Sequence, residues 1–200
     1  MIDTVIFDVG RVLVDWDYHH YLESFSFDEE KRAIITSAIF EGPYWPKADR
    51  GILSFDELLN GFISLAPEYR DDIFRVTQGA GAAISLRSYA VPLVRELKEK
   101  GLRLFLLSNY SEFLLKQTKH KMEFLPLMDG ALFSCNCHLL KPEPEIYQLL
   151  LERYQIVPSH AVFLDDTLRN VRGAENCGIH GIHFTSYENA RKDLTTLGVL

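Results

Sequence analysis

The sequence predicts an α/β fold in which a doubly wound parallel β-sheet carries an inserted all-helical segment. Three observations support this fold. Short runs of β-branched and aromatic residues, typical of buried strands, recur along the chain. From Ser88 onward these runs alternate with amphipathic helical patterns, which indicates parallel strands joined by right-handed crossovers. Between residues 18 and 83 the pattern is helical, without a convincing strand.

The first strand is predicted at Thr4–Phe7, a run typical of a buried strand. It ends at Asp8, and Gly10 supplies a turn signal two residues later. Open parallel α/β sheets bind their ligands at the carboxyl ends of the strands, which is where Asp8 lies. Asp8 is therefore a candidate functional residue, although a carboxylate at this point can equally cap the turn.

The helical segment is predicted to contain three helices. The first two begin at capping boxes, in which a serine and the glutamate three residues later cap the start of a helix. These pairs are Ser26 with Glu29 and Ser54 with Glu57. A third helix is predicted after Pro67, with Ile73 and Phe74 buried. The small residues from Gly79 to Ala83 predict a hinge or linker that returns the chain to the sheet.

The second half of the chain supplies the remaining strands of the sheet. They are predicted at Leu102–Leu107, Gly130–Phe133, Ala161–Leu164 and Ile179–Phe184. Amphipathic helices lie between them, and Gly101 and Gly178 stand where a glycine commonly ends a helix. The prediction is a Rossmann-like core formed by residues 1–17 and 84–200, interrupted by the helical segment of residues 18–83.

Composition limits the possible classes of function. Hydrophobic residues make up 47% and charged residues 24%, as in ordinary globular proteins, and 200 residues suffice for one core with a modest insertion. A net charge of −7 argues against nucleic acid or anionic membranes as partners, though not against an anionic substrate at a local site. No apolar run approaches the ~20 residues of a membrane span, and the N-terminus lacks the basic region of a signal peptide. Three cysteines favour reduced thiols, so we expect a cytoplasmic protein, compatible with a monomer.

Polar residues follow three of the predicted strands. They are Asp8 after the first, Ser108 and Asn109 after the second, and Asp165 and Asp166 after the fourth. A parallel sheet brings these ends to one edge, which Lys141, in a loop ahead of a helix, can also reach. Carboxylates that meet there repel one another, and a hard divalent cation such as Mg²⁺ removes the repulsion. A serine hydroxyl and a lysine suit phosphate, so the cluster predicts a metal-assisted phosphate site.

Four motifs occur in a characteristic order. They are D-x-G-x-V-L-V-D from Asp8, L-L-S-N ending at Asn109, K-P-E from Lys141, and F-L-D-D-T-x-x-N-x-x-x-A from Phe163. Each is weak alone, but together they resemble the haloacid dehalogenase superfamily. The strongest resemblance is to its sugar-phosphate phosphatases, which carry a helical cap after the first motif. The resemblance implies that residues 18–83 are this cap.

The resemblance also implies roles for the residues of the predicted site. Asp8 would be the nucleophile, forming an aspartyl-phosphate. The residues implied to hold Mg²⁺ are Asp8, Gly10 through its backbone carbonyl, Asp166, and Asp165 in a supporting position. Those implied to bind the phosphoryl group are Ser108, Asn109 and Lys141. Lys141 would also neutralise charge during the transfer, which makes it a catalytic residue.

Position 10 departs from this resemblance. Phosphatases of the superfamily usually carry a second aspartate there as general acid and base, whereas Gly10 can neither protonate a leaving group nor activate water. Losing such a group typically costs about 10²–10⁴-fold in rate. Three explanations stay open: a substrate with a good leaving group, a substitute residue, or a weak or silent hydrolase. The candidate substitutes, near the hinge of the cap, are Asp15, Asp17, His19 and His20.

The sequence therefore predicts an Mg²⁺-dependent phosphomonoester hydrolase for a small phosphorylated metabolite, with a sugar phosphate as the first candidate substrate. A 2-haloacid dehalogenase is the alternative enzyme, although that reaction needs no metal and the pair Asp165 and Asp166 favours one. A non-catalytic phosphometabolite-binding protein is a third hypothesis, kept open by Gly10. In the cap, the aromatic and cationic segment of residues 41–51 can close over the leaving group, and Arg50 is its predicted substrate contact.

Overall fold

The structure, a computed structural model, describes residues 1–200 and contains seven strands. They are β1 (Thr4–Phe7), β2 (Val14–Trp16), β3 (Ile84–Leu86), β4 (Arg103–Ser108), β5 (Gly130–Phe133), β6 (Ala161–Asp165) and β7 (His180–His183). Five of them form one sheet in the order β5-β4-β1-β6-β7, and every neighbouring pair is parallel. The predicted doubly wound parallel sheet is confirmed, with β1 at its centre.

Ten α-helices accompany the strands. They are α1 (Tyr18–Glu23), α2 (Glu29–Ile39), α3 (Trp45–Arg50), α4 (Phe55–Leu65), α5 (Arg70–Gln78), α6 (Ala90–Glu99), α7 (Glu112–Thr118), α8 (Pro144–Tyr154), α9 (Leu168–Asn176) and α10 (Tyr187–Thr196). None of them combines the length and the apolarity that a membrane-crossing helix needs.

Side chains of β1 alternate between the two faces of the sheet, as strand geometry requires. Val5 and Phe7 belong to a cluster of 28 buried residues that includes side chains of α6 and α10. Ile6 points the other way, into a cluster of 13 buried residues that includes side chains of α8 and α9. Both faces of the sheet are therefore covered by helices, which explains why the central strands β1 and β6 are buried along their whole length.

The register of the sheet determines where the strands end. Phe7 lies level with Leu106 of β4 and with Leu164 of β6. The carboxyl ends of these three central strands therefore leave the sheet together. Asp8 follows β1 directly, while Ser108 and Asp165 are the last residues of β4 and β6. The sheet thus brings the predicted polar residues to one edge.

Residues 18–83, which we call the cap, contain α1 to α5 and enclose a separate cluster of 14 buried hydrophobic residues. A short antiparallel ribbon, not predicted from the sequence, joins the two ends of the cap to the core. In it Val14 of β2 pairs with Leu86 of β3, and Trp16 pairs with Ile84. The division of the chain into two domains at residues 17/18 and 83/84 stays a prediction.

Local details of the cap differ from the sequence prediction at two places. The capping box predicted at Ser26 and Glu29 is wrong, because Asp28 is the N-cap of α2 and its side chain accepts the Lys31 N–H at 2.8 Å. The prediction that Phe74 is buried is also wrong, since 47% of its surface is exposed, whereas Ile73 is fully buried. The second predicted capping box, formed by Ser54 and Glu57, is confirmed at the start of α4.

Candidate active site

Asp8 lies at the centre of the candidate site, just beyond the end of β1, and only 8% of its surface is exposed. Its Oδ1 atom accepts a hydrogen bond from the Ser108 hydroxyl at 2.7 Å and lies 2.9 Å from the Lys141 ammonium. Its Oδ2 atom has no hydrogen-bond partner in the protein. Burial, opposed by the charge of Lys141, raises the pKa of Asp8 to about 6, with Asp165 adding to the rise. Asp8 thus has one oxygen engaged by Ser108 and Lys141 and one oxygen free.

Lys141 is the single buried ammonium of the site, with 1% of its side chain exposed. Its Nζ lies 2.6 Å from Asp165 Oδ2, opposite its contact with Asp8. Burial alone lowers the pKa of Lys141, but the two carboxylates outweigh it and raise the pKa above its ordinary value. Asn109 holds the loop in place, because its side chain donates to the Lys141 carbonyl at 3.0 Å and accepts the Lys141 N–H at 2.8 Å.

The two carboxylates after β6 have different surroundings. Asp165 is completely buried and accepts hydrogen bonds from Lys141, the Thr167 N–H and the Asn170 amide. Asp166 is 23% exposed and has only a weak contact with the Thr167 hydroxyl at 3.4 Å and with Arg11 at 3.9 Å. Burial, with the charge of Asp165, raises the pKa of Asp166. Asp166 therefore has free ligand capacity, whereas Asp165 is engaged within the protein.

The three acidic residues form a candidate site for a divalent cation. One carboxylate oxygen from each of Asp8, Asp165 and Asp166 can be chosen so that all lie within 4.8 Å of one another. Mg²⁺ is bound by oxygen ligands and retains several waters, so a partly open carboxylate cluster suits it. Gly10 borders the cavity that Asp8 and Asp166 also line. The space where a side chain would stand at this position is open, since a Cβ built there meets no atom within 4 Å. The donor set fits the magnesium ion predicted from the sequence.

A cavity of about 300 Å³ lies above this cluster, between the core and the cap. Asp8, Gly10 and Asp166 border it from the core, together with Asn109. Aromatic rings border it from the other side, as Trp16 stacks on Trp45 with 5.5 Å between the ring centroids, and Phe40 lies 5.3 Å from Trp45. A bound substrate would therefore meet charge at one end and apolar rings at the other.

The cap also places Asp49, a residue that sequence reasoning missed, on this cavity. Its carboxylate has no hydrogen bond and no ion pair within the protein, whereas its backbone carbonyl accepts a hydrogen bond from the Ser134 hydroxyl. Burial and the charge of Asp8 raise the pKa of Asp49 to about 7, against the opposing effect of Lys141. The only signal in the sequence was its position next to Arg50 in the amphipathic cap segment.

Arg50 is oriented differently from its neighbour. Its guanidinium forms a two-pronged ion pair with Glu143 and donates to the His138 carbonyl at 3.1 Å. It does not border the cavity that contains Asp8. The structure thus brings together the predicted residues of the core and leaves Arg50 outside them, as a bridge between the cap and the loop that carries Lys141.

The predicted substitutes for a general acid do not border the Asp8 cavity. Asp15 is paired with Arg87 at 2.6 Å, Asp17 caps α1, and the His20 ring lies 3.0 Å from Glu23. The residues Asp15, Asp17 and His19 line a neighbouring cavity of about 650 Å³, which shares Arg11, Trp16 and Asp166 with the Asp8 cavity but is not bordered by Asp8. Among the acidic side chains of the cap, Asp49 is the one on the Asp8 cavity.

Comparison with known proteins gives this arrangement a context. The chain matches the family of haloacid dehalogenase-like hydrolases over residues 2–178. It is 30% identical to acyl-CoA dehydrogenase family member 10 of Mus musculus, but spans only 19% of that protein's length while 96% of this chain is aligned. It is 28% identical to the sesquiterpene phosphatase astK of Aspergillus oryzae, over 90% of this chain and 88% of the other. A phosphorylated carbohydrates phosphatase of Thermotoga maritima is 25% identical, over 90% and 84% of the two chains.

Solved structures share the fold at lower sequence identity. A haloacid dehalogenase family enzyme from Bacteroides thetaiotaomicron, in complex with magnesium and inorganic phosphate, superposes with a TM-score of 0.77 at 20% identity, covering 95% of this chain and 99% of that one. L-2-haloacid dehalogenase from Xanthobacter autotrophicus, with chloropropionic acid covalently bound, gives a TM-score of 0.65 at 17% identity, covering 100% and 85%. At these identities the likeness concerns the fold, which phosphatases and dehalogenases share.

Proposed function

The chain belongs to the haloacid dehalogenase-like hydrolases, and from this premise we propose that it is an Mg²⁺-dependent phosphomonoester hydrolase working through an aspartyl-phosphate. The observation that carries the proposal is the geometry of Asp8. One of its oxygens is held by Ser108 and Lys141, the other is free, and two further carboxylates stand beside it. This is the arrangement that a phosphate-attacking carboxylate and its cation need.

The residues of the core have separate roles in phosphoryl transfer. Asp8 is the nucleophile, because its carboxylate is paired with the buried Lys141 ammonium and has one free oxygen, so it needs no separate base. Lys141 and Ser108 fix its orientation and face the negative charge that accumulates on the phosphoryl oxygens. Asp8, Asp166 and the Gly10 carbonyl would hold Mg²⁺, whose bound charge neutralises the phosphate and allows an anion to attack it.

The proposed substrate is a small phosphate monoester. Sugar phosphates are the first candidates, on the resemblance of the motifs to sugar-phosphate phosphatases and on the similarity to the phosphorylated carbohydrates phosphatase. Apolar phosphate esters are the second, because the rings of Trp16, Phe40 and Trp45 border the cavity and suit a leaving group with an apolar face. A cavity of about 300 Å³ limits either group to a small molecule.

A dehalogenase is the competing reaction on the same fold. Halide leaves as an anion and needs neither proton nor metal, so Gly10 alone is compatible with it. The pair of Asp165 and Asp166 argues against it, because Asp166 is a carboxylate near Asp8 with little engagement inside the protein. A site built only to displace halide from a carboxylate substrate gains nothing from another negative charge at this point.

The proposal is tested by assaying inorganic phosphate release from a panel of sugar, acyl and aryl phosphates, with magnesium and with excess chelator. We expect turnover that disappears on chelation and returns with added Mg²⁺.

Asp8→Asn should lower kcat by about 10⁴-fold or more, because an amide cannot form the acyl-phosphate. Asp166→Asn should raise the magnesium concentration needed for half-maximal rate by about 10–100-fold. Asp56→Asn, an exposed change in the cap, is the matched control.

Three results would contradict the proposal. Normal phosphate release by the Asp8→Asn variant would exclude this residue as the nucleophile. Halide release from 2-chloropropionate that survives chelation, with no phosphate release from any ester in the panel, would favour the dehalogenase. Binding of phosphorylated metabolites without any turnover or any phosphorylation of Asp8 would instead favour the non-catalytic binding protein.

A further inference from the structure

We propose that Asp49, on the cap helix α3, is the general acid and base of this enzyme, in place of the aspartate that position 10 lacks. The inference rests on the proposed phosphatase function and adds to it a catalytic residue from the other wall of the cavity. It is drawn from the lining of the cavity, the anchoring of α3 and the lack of a partner for the Asp49 carboxylate.

The titratable side chains on the cavity leave few alternatives for a proton donor. They are Asp8, Arg11, Asp49, Tyr110 and Asp166. The first and last belong to the nucleophile and the cation site, and an arginine keeps its proton at every relevant pH. The Tyr110 hydroxyl is bonded to Thr118 at 2.8 Å, and burial raises its pKa further above the neutral range. Asp49 alone has a carboxyl group that nothing in the protein engages.

The end of α3 is anchored to the core, so Asp49 is held at a defined position relative to Asp8. The Ser134 hydroxyl donates to the Asp49 carbonyl, and the Arg50 side chain is paired with Glu143. Gly51 packs so closely on the backbone of Cys135 that a Cβ there would come within 2.5 Å of the Cys135 carbonyl oxygen. Contacts on three successive residues thus fix the backbone that carries the carboxyl group.

The surroundings of Asp49 match the task of proton transfer. Burial and the neighbouring Asp8 raise the pKa of Asp49 to about 7, towards the range that suits a general acid and base. The charged groups that act on it are Asp8 and Lys141, which have opposite effects. Gly10 has no side chain, and a Cβ there would touch nothing, so the core supplies no acidic group at position 10 that would compete with Asp49.

In the first step an Asp8 oxygen attacks phosphorus, and the bond from phosphorus to the leaving oxygen breaks. The electron pair stays on that oxygen, which takes the proton from the Asp49 carboxyl and departs as an alcohol. In the second step the Asp49 carboxylate removes a proton from water while the water oxygen bonds to phosphorus. The bond to Asp8 then breaks with its electron pair returning to the carboxylate, and phosphate and the starting enzyme result.

The test measures how strongly Asp49→Asn lowers kcat/KM for substrates with different leaving groups. Phenolate needs a proton to leave easily, because phenols have a pKa of about 10, whereas a carboxylate leaving group, with a pKa of about 4, does not. We expect kcat/KM for phenyl phosphate to fall about 10²–10⁴-fold and kcat/KM for acetyl phosphate to fall less than about tenfold. With acetyl phosphate the variant should release one equivalent of acetate rapidly and then turn over slowly, because the second step lacks its base.

Asparagine has the shape of aspartate and keeps the backbone contact with Ser134, so the fold should survive the change. Asp56→Asn, on the exposed surface of the cap, should leave both substrates unaffected. Equal losses with the two substrates, or no loss with either, would overturn the assignment. The two proposals fail separately: turnover that depends on Asp8 but not on Asp49 defeats only this inference, whereas turnover independent of Asp8 defeats the proposed function.

Discussion

The two walls of the Asp8 cavity are built on opposite principles. On the core wall Lys141 lies between Asp8 and Asp165, and Asp165 accepts further hydrogen bonds, so both of these buried carboxylates are paired within the protein, whereas Asp166 has only weak contacts. On the cap wall the Asp49 carboxyl has no partner, and its neighbours on the cavity are aromatic rings. The difference indicates that the core wall is preorganised before substrate arrives, whereas the cap wall becomes satisfied only with a substrate in place.

The difference between the two walls follows from the secondary-structure elements that carry their residues. The core residues stand at the ends of three strands that share one register, so their relative positions are as rigid as the sheet. The cap residue stands on a helix of six residues, which is too short to be stable alone and depends on its contacts with the core. Substitutions on the core wall should therefore lower both the free energy of unfolding and the catalytic rate. Substitutions on the cap wall should lower the rate without lowering the free energy of unfolding.

The largest effect should come from Lys141→Met, which breaks the core wall at its centre. Two buried carboxylates lose their cation, so we expect the free energy of unfolding to fall by about 3–5 kcal/mol at pH 8. The pKa of Asp8 already lies above its ordinary value and rises further without Lys141. The native state then binds more protons than the unfolded state, so part of the lost stability should return at pH 5. Urea unfolding at both pH values measures this.

Lys98→Met is a matched control for that change. Lys98 pairs with Asp129 at 2.8 Å, but both side chains are more than a third exposed, so its loss should cost at most about 1 kcal/mol. The Lys141 variant should also lose about 10³-fold in kcat, which Lys98→Met should not. Similar stabilities for the two variants at pH 8 would show that the core wall does not depend on its buried ammonium.

A smaller effect on the free energy of unfolding, of opposite sign, is expected from a substitution of Asp49 on the cap wall. The pKa of Asp49 is about 7 in the folded chain against 3.8 for a free carboxyl, so the native state disfavours the charged form. Stability therefore falls as the pH rises from about 4 to 7, and asparagine removes this fall. In the presence of chelator, the stability gained by Asp49→Asn over the wild type should be about 1–3 kcal/mol larger at pH 8 than at pH 5.

Thermal or urea unfolding at the two pH values decides this prediction, with Asp56→Asn as a control that should show no pH-dependent difference. A variant that loses activity while gaining stability at pH 8 would identify Asp49 as a residue retained for function at the expense of the fold. A stability difference that is the same at pH 5 and pH 8 would instead show that the charge of Asp49 is not disfavoured by the fold.

The same contrast explains how much could be predicted from the sequence. Asp8, Ser108 and Asp165 follow apolar strands, and parallel pairing forces such ends together, so the core wall was foreseeable from pattern alone. Asp49 could not be foreseen in this way. Neighbouring residues of a helix point about 100° apart, and only packing against the core decides which of Asp49 and Arg50 faces the cavity.

Short-range details were unpredictable for a related reason. The ribbon of Val14–Trp16 and Ile84–Leu86 has only three residues in each strand, and its partners are separated by the whole cap. No local periodicity marks such a pairing. The spacing of a capping box at Ser26 predicts the start of α2 there, but Asp28 is closer to the helix and accepts the Lys31 N–H. A motif of two residues is a weak guide where competing caps lie two positions apart.

The smallest effect should come from the bridge between the walls, and it decides whether Arg50 binds substrate or only holds the cap. If Arg50 serves only its ion pair with Glu143, Arg50→Gln and Glu143→Gln should behave alike, costing about 0–1 kcal/mol of stability and changing KM by less than about threefold. If Arg50 contacts the substrate phosphate, Arg50→Gln alone should raise KM by about 10–100-fold, since hydrogen bonds to charged groups contribute about 1.5–3 kcal/mol. Glu143→Gln would then leave KM unchanged or lower it, because the guanidinium is released.

Steady-state kinetics of the two variants separate these outcomes. We expect the two variants to behave alike, because the Arg50 guanidinium is bonded to Glu143 and to the His138 carbonyl.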